Sequence, residues 1–299
     1  MQQKKMLFVV NPKAGKAQIK NRIMQILDLF AKAGYEVTVH VTQSREDAMR
    51  RIRDREEEYD LLVCSGGDGT LNEVVSGMVK SGNALPIGYI PAGSTNDFAN
   101  SLRIPKNMLK AAQVVVEGER FACDIGSFNR DIFVYVAAFG IFTDVSYGTD
   151  QEIKNLLGHT AYVLQGVKSL AAIQAYPMRV MYDDNVIEGD FLYGMITNSV
   201  SVGGFKGITG KNVELNDGKL EVTLIRQPSN LAELTSIAGA LTDRNAENEF
   251  IYRFKTSRLQ IEADEPVAWT LDGEFGGSHK EVMIEDHKEA ITILVPKKL

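Results

Sequence analysis

The chain has little of what would place it outside the ordinary globular class. Among 299 residues there are two cysteines, Cys64 and Cys123. They stand far apart and outside any CxxC spacing, which excludes a disulfide scaffold and a thiolate zinc site and leaves two reduced, buried thiols. No internal repeat and no low-complexity linker interrupts the chain. Long apolar runs are missing too. The MLFVV stretch behind Lys4 and Lys5 is too short for a signal-peptide core. The longest run, over 132–142, falls far below the roughly 18 residues of a membrane span. These absences imply a soluble, cytoplasmic protein that meets lipid only from its surface. An excess of positive charge is lacking as well, since the formal net charge is −6. Such a chain is a poor generic nucleic-acid binder, so an anionic ligand must be captured locally, by backbone N–H groups or a small basic patch. The four histidines, His40, His159, His279 and His287, have no metal-ligand spacing and read as structural or surface residues.

What is present is enough apolar sequence, 44% of the residues, to build roughly two domains with real cores. The first third alternates strand and helix signals. A buried strand over 6–10 is followed by a helical pattern with Ile19, Ile23, Ile26, Leu27 and Phe30 on one face, closed by Gly34. An alternating strand over 35–41, a charged helix over 45–58 and a strand over 59–64 come next. A helix over 71–79 and a strand over 85–90 complete the series. Repeated strand–loop–helix units mean a parallel sheet covered by helices. After about Cys123 short strand-like runs dominate, over 132–138, 178–182, 191–198, 220–225, 258–262 and 267–271. Turn signals at 183–185, 216–218 and 272–273 punctuate them. Helical patterns over 152–173 and 231–241 and a last strand over 290–295 complete a second domain built mainly on antiparallel sheet. The expected boundaries are 1–125 for the α/β domain and 126–287 for the β-rich one, with 288–299 free to pack back on the first.

Three loops follow strands of the α/β domain, where ligands of open parallel sheets sit. Ser65-Gly66-Gly67-Asp68-Gly69-Thr70 opens directly into a helix. Its glycines let the backbone approach an anion, and the helix dipole favours phosphate. Asp68 is the informative residue: a carboxylate beside phosphate is repulsive unless a cation stands between them, which implies Mg²⁺. The plainer reading is a glycine-rich turn, with Thr70 and Glu73 forming a capping box. Asn11-Pro12-Lys13-Ala14-Gly15-Lys16 suits a phosphate through Gly15 and two lysines, but is not a Walker A loop and also reads as a simple βα turn. Pro91-Ala92-Gly93-Ser94-Thr95-Asn96-Asp97 is longer than a turn needs, and Ser94 or Thr95 suits either a phosphate or a helix cap.

NPKAG, GGDGT and PAGSTNDFA, in this order, resemble the diacylglycerol kinase catalytic-domain family, which includes bacterial lipid kinases and the sphingosine and ceramide kinases. GGDGT alone is shared with NAD kinases and, loosely, phosphofructokinases; NDFA is more specific to the lipid kinases. The likeness continues at Leu215-Asn216-Asp217-Gly218 and Leu271-Asp272-Gly273-Glu274, so it covers nearly the whole chain. It implies an α/β nucleotide domain like that of NAD kinase and phosphofructokinase, joined to a mainly antiparallel β-sandwich. It implies an ATP- and Mg²⁺-dependent kinase that phosphorylates the hydroxyl of diacylglycerol or a related membrane lipid bound peripherally. Asn11, Pro12, Lys13, Ala14, Gly15, Thr42, Gly66, Gly67, Gly69, Thr70 and Thr95 would line the nucleotide site. Asp68 would hold the catalytic Mg²⁺ and Glu274 would be the general base. Asp217, with the main-chain carbonyls of Glu214 and Lys219, would hold a structural Mg²⁺, although Lys219 stands where an apolar residue is common. Asp97 and Asp124 match acidic residues joining the two domains, and the reaction would lie between those domains.

For the acceptor, Phe139, Ile141, Phe142, Val200, Val202 and Phe205 suit either a lipid slot or ordinary core. Lys154 and Lys168 suit either anionic headgroups or a solvated face. Rival readings are a kinase of the same superfold acting on NAD or a sugar phosphate, and a nucleotide-sensing protein without chemistry. An NAD-dependent oxidoreductase fails because no GxGxxG follows the first strand. Dimerisation is left open.

Overall fold

The computed structural model describes residues 3–54, 58–82, 84–140, 174–203, 205–206, 209, 212–242 and 247–297. The helix expected over 152–173, with Ile141, Phe142, Lys154, His159 and Lys168, lies outside them. The chain divides into two compact units. Met1–Asp124 with Glu289–Leu299 form the first, and Ile125–Lys288 form the second.

The first unit is organised by three strands whose runs of apolar residues leave little side chain exposed. From Met6 onward, every residue of β1 (Lys4–Val10) is buried, as are all of β3 (Leu61–Gly66) and β4 (Ile87–Pro91). Burial on both faces marks central strands of a parallel sheet. β2 (Tyr35–Val41) alternates instead and lies outside β1, pairing Val37 with Met6. The order is β2-β1-β3-β4, and all pairings are parallel. The order reverses between β1 and β3, so their onward connections diverge and leave a crevice at the carboxyl ends of the strands. α1 (Ile23–Lys32) turns Ile26 and Phe30 inward, and Phe30 meets Phe8 edge-on at 5.6 Å. α3 (Asp68–Ser81), α4 (Asp97–Ser101) and α5 (Met108–Glu117) follow β3 and β4.

Two helix starts differ from the sequence reading, each for a local reason. Ala17 adopts φ 54, so Gln18–Asn21 forms a 3₁₀ turn and the regular helix waits until Ile23. The charged helix expected over 45–58 is α2 (Asp47–Arg53). Its start is set from outside: the Glu73 carboxylate accepts the N–H groups of Glu46 and Ala48 at 2.7 and 3.1 Å.

The second unit is mainly antiparallel. β8 (Tyr176–Tyr182) and β7 (Val136–Gly140) both lie between the long strands β9 (Asn185–Thr197) and β14 (Arg258–Leu271). β8 pairs with Asn185–Phe191 and with Leu259–Ala263, and β7 with Tyr193–Thr197 and with Trp269–Leu271. β12 (Leu220–Arg226) flanks β9 on its other side and β13 (Ile251–Thr256) flanks β12. Short β10 (Ser201–Val202) and β11 (Phe205–Lys206) pair with each other, and α6 (Leu231–Thr242) precedes β13. Trp269 centres the core, with Phe128 and Phe139 rings at 5.0 and 4.8 Å. Phe139, a candidate lipid-slot residue by sequence, is therefore core; Val200 and Val202 are half-buried.

The single strand expected over 132–138 is broken into β6 (Asp131–Phe133) and β7. The break has a cause, because the Asp272 carboxylate accepts the N–H groups of Val134, Tyr135 and Val136 at 2.7, 2.9 and 3.0 Å. Those donors are thereby lost to a continuous ladder. Conversely, the runs expected over 258–262 and 267–271 join in β14 across a register shift between Glu262 and Val267. The strand expected over 290–295 is the end of β15 (Glu274–Val295), whose Ile293 pairs in parallel with Ile87. The chain passes between the units within β5 (Glu119–Phe128) and within β15. At the first unit's side of these crossings, Asp124 Oδ1 accepts the Glu289 N–H at 2.6 Å.

Candidate active site

The three loops flagged by sequence leave the same edge of the parallel sheet in the first unit and touch one another. The Asn11 N–H donates to Ser65 O at 2.8 Å, and Asn11 Nδ2 donates to Thr70 Oγ1 at 2.9 Å. The Asn11 Oδ1 also accepts from the Lys13 N–H at 3.0 Å, which folds its own loop back. One side chain thus joins the loop after β1 to the first turn of α3. The Ala92 N–H donates to Gly66 O at 2.8 Å, which joins the loops after β3 and β4. Thr42, just past β2, is half-buried and bonds Val10 O through its N–H at 2.9 Å.

Glycine makes the approach possible. At Gly15, with φ +51, a Cβ would stand 2.3 Å from Ala92 O. At Gly93 it would stand 2.7 Å from the Gly67 Cα. No L side chain fits either place without displacing backbone, so the backbones form an uncovered cradle at the strand ends. α3 begins at Asp68 with Gly67 as its N-cap and no side-chain capping bond. The capping-box alternative for Thr70 and Glu73 is thereby corrected: Thr70 accepts from Asn11 and Glu73 caps α2. Gly67 offers the first turn of α3 no side-chain acceptor, an arrangement that suits an anion there.

Asp68 is buried at the centre of this cluster. Its Oδ2 accepts from the Asp97 N–H at 3.2 Å and from Thr95 Oγ1 at 3.4 Å. Burial, and then the nearby charge of Asp68, push the Tyr89 hydroxyl well above its usual pKa. That neutral hydroxyl donates to Gly66 O at 3.3 Å. Burial also raises the Cys64 thiol, reinforced by Glu73 and Asp68, so Cys64 is no nucleophile here. The loop after β4 is tightened by Asn96, whose side chain bonds both the N–H and the carbonyl of Gly93, at 2.9 and 2.7 Å. Lys13 and Lys16 are exposed beside Gly15.

Tyr89, Asn96 and Glu73 were not singled out by sequence for these roles. Asn96 was legible as the Asn of a turn-forming loop; Tyr89 sits in an apolar run and gave no signal. Pro12 and Ala14 lie in the loop after β1, Gly69 in the first turn of α3 and the buried Asp97 at the start of α4, while the buried Asp124 lies in β5 of the same unit.

Glu274 belongs to the second unit. It follows a two-residue hairpin, Asp272 (φ 50) and Gly273 (φ 85), and pairs with Leu271. Positive φ at both positions is the signature of a tight type I′ turn. The bonds from Asp272 to residues 134–136 fix that turn from below, while Glu274 itself is exposed.

The donor sets differ in their fit to Mg²⁺. One carboxylate, Asp68, beside a phosphate cradle suits an ion that takes one or two carboxylates and completes its shell with phosphate oxygens and water. Among the described residues no group of three His, Cys, Asp or Glu side chains could hold a metal by itself. The set named for a structural Mg²⁺ does not fit. Asp217 Oδ1 accepts the Lys219 N–H at 3.0 Å, and its Oδ2 is in a 3.0 Å ion pair with Lys255. Among the described residues no helix is long and apolar enough to cross a membrane.

Comparison with known proteins places these features in a family. Residues 5–128 match the diacylglycerol kinase catalytic domain, and residues 136–295 match the YegS C-terminal NAD kinase beta sandwich-like domain. A diacylglycerol kinase of Bacillus subtilis (strain 168) is 34% identical over 277 residues, covering 92% of this chain and 91% of that protein. One from Staphylococcus aureus (strain MRSA252) is 35% identical over 277 residues, covering 92% and 87%. A crystal structure of a diacylglycerol kinase from Bacillus anthracis str. Sterne superposes with a TM-score of 0.76 at 22% identity, covering 99% of this chain and 98% of that one.

Proposed function

This chain belongs to the diacylglycerol kinase catalytic-domain family, a phosphotransferase family with an alcohol acceptor, and on that premise we propose that it moves the γ-phosphoryl group of ATP onto the hydroxyl of diacylglycerol or a closely related lipid, giving a phosphatidic-acid-type product. The family supports lipid kinase activity and ATP use; the acceptor and the metal are our reading. The observation that carries it is the meeting of three strand-end loops around Asp68, with backbone so close at Gly15 and Gly93 that only glycine fits.

Phosphoryl transfer asks a protein mainly to position the reactants and offset developing charge. In this reading the N–H groups of Gly67, Gly69 and Thr70 at the start of α3 hold phosphate oxygens, together with Asn11–Gly15 and the ammonium of Lys13. Thr42 and Thr95 line the rest of the nucleotide. Asp68, held by the Asp97 N–H and Thr95, is the residue that would bind Mg²⁺. When bound there, the ion supplies charge neutralisation on the transferring group. Glu274 accepts the proton of the attacking lipid hydroxyl, a role the Asp272 anchor supports by fixing its hairpin. Asp97 and Asp124 hold the loop after β4 and the chain crossings in place.

The test is a lipid-panel kinase assay with labelled ATP and Mg²⁺. Diacylglycerol, sphingosine, NAD and fructose phosphate are offered in parallel, with Asp68→Ala as the blank. Label transfer to diacylglycerol that disappears in the blank is expected. Transfer only to NAD or the sugar phosphate, or no transfer to anything, overturns the reading.

A further inference from the structure

Lys255 stands in the second unit where its ammonium meets three oxygens. Nζ lies 3.0 Å from Asp217 Oδ2, 3.0 Å from Glu221 Oε1 and 2.8 Å from the Asn212 carbonyl. Two of these are hydrogen bonds, to Asp217 and Asn212, and the third is an ion pair with Glu221, whose two buried oxygens have no hydrogen-bond partner among the described residues. The position is fixed by the sheet, because Lys255 of β13 pairs directly with Glu221 of β12. Asp217 is fixed by its own turn through the Lys219 N–H. Glu221 is almost wholly buried. Two carboxylates this close, one out of water, repel unless a cation stands between them or one of them takes a proton.

The family resemblance assigns that cation to a divalent metal at Asp217. In this chain the carboxylate oxygen such an ion would take is already given to a side chain that the β12–β13 register holds in place. We propose that the Lys255 ammonium replaces the structural divalent cation, so that the 212–221 segment of this protein is held without metal.

This inference stands apart from the kinase reading, since its readouts are metal content and melting temperature. The nucleotide-free protein is dialysed in metal-free buffer, analysed for bound metal by mass spectrometry, and melted with EDTA, Mg²⁺ or Ca²⁺. Wild-type protein is expected to carry no stoichiometric divalent ion and to melt at the same temperature in all three. Lys255→Met is expected to lower the melting temperature in EDTA by roughly 5–10 °C, because it strands a buried carboxylate. Added Mg²⁺ or Ca²⁺ should restore part of that loss, whereas Lys255→Arg should stay indifferent to metal. A stoichiometric ion in the wild type that is lost in Asp217→Asn overturns the proposal. So does a Lys255→Met variant as stable in EDTA as the parent.

Discussion

The two units solve the problem of a polar cluster in opposite ways. In the first, the site is made of backbone: side chains are absent at Gly15 and Gly93, and the Asp68 carboxylate stands against the Asp97 N–H and the Thr95 hydroxyl. In the second, side-chain charge does the holding, as Asp272 gathers three backbone N–H groups and Lys255 bridges Asp217 and Glu221. Backbone presented without side chains leaves room for a charged ligand, whereas carboxylates already engaged by backbone N–H groups or an ammonium do not. The comparison assigns ligand capture to the glycine loops and rigidity to the buried acids. It can be broken by substitutions in either unit.

The largest effect should come from Glu274, an exposed acid of the second unit. Glu274→Gln is expected to lower kcat by roughly 10²–10⁴-fold while nucleotide affinity, measured by calorimetry, stays within about twofold. Turnover near the parent rate would return Glu274 to the class of ordinary hairpin residues. In the first unit, Gly93→Val forces a side chain against the Gly67 backbone. Overpacking of about 1–3 kcal/mol should weaken ATP binding roughly 10–100-fold. Unchanged affinity would show that the cradle is not where nucleotide sits.

Asp272→Ala should sharpen the contrast from the other side. It removes a buried charged acceptor from three donors, at a cost of about 3 kcal/mol by urea denaturation. Asp272→Asn keeps an acceptor and tolerates the left-handed φ, and should lose less than half as much. Equal losses in the two variants would mean that the acceptor kept by Asn contributes nothing, and would contradict this account. The smallest effect is a refusal to react: with its thiol raised by burial, Cys64 should resist alkylation at pH 8 until the chain unfolds. Rapid modification of the native protein, read by mass spectrometry, would contradict the electrostatics assigned to the core beside Asp68.

The contrast also explains what the sequence made legible. Glycine loops behind apolar runs announce themselves because turn, close approach and helix start are local events within a few residues. The parallel sheet of the first unit was readable for the same reason, as each strand–loop–helix unit repeats the signal. The Asp272 contacts were not readable, since their donors lie up to 138 positions earlier in the chain. That single carboxylate is also why the strand expected over 132–138 is broken. The Lys255 bridge spans 38 positions to Asp217 and depends on the β12–β13 register, which no periodicity in either strand specifies. The start of α2 was misjudged because its cap is Glu73, 27 positions beyond Glu46.

The central claim is that the backbone around 66–70, with the loops behind Asn11 and Pro91, receives the phosphates of a nucleotide. A crystal of the protein grown with ADP and Mg²⁺ tests it directly. Phosphate density against the N–H groups at the start of α3, facing Gly15 and Gly93, is the expected result. Nucleotide bound at another surface, with this corner holding only water, would contradict it.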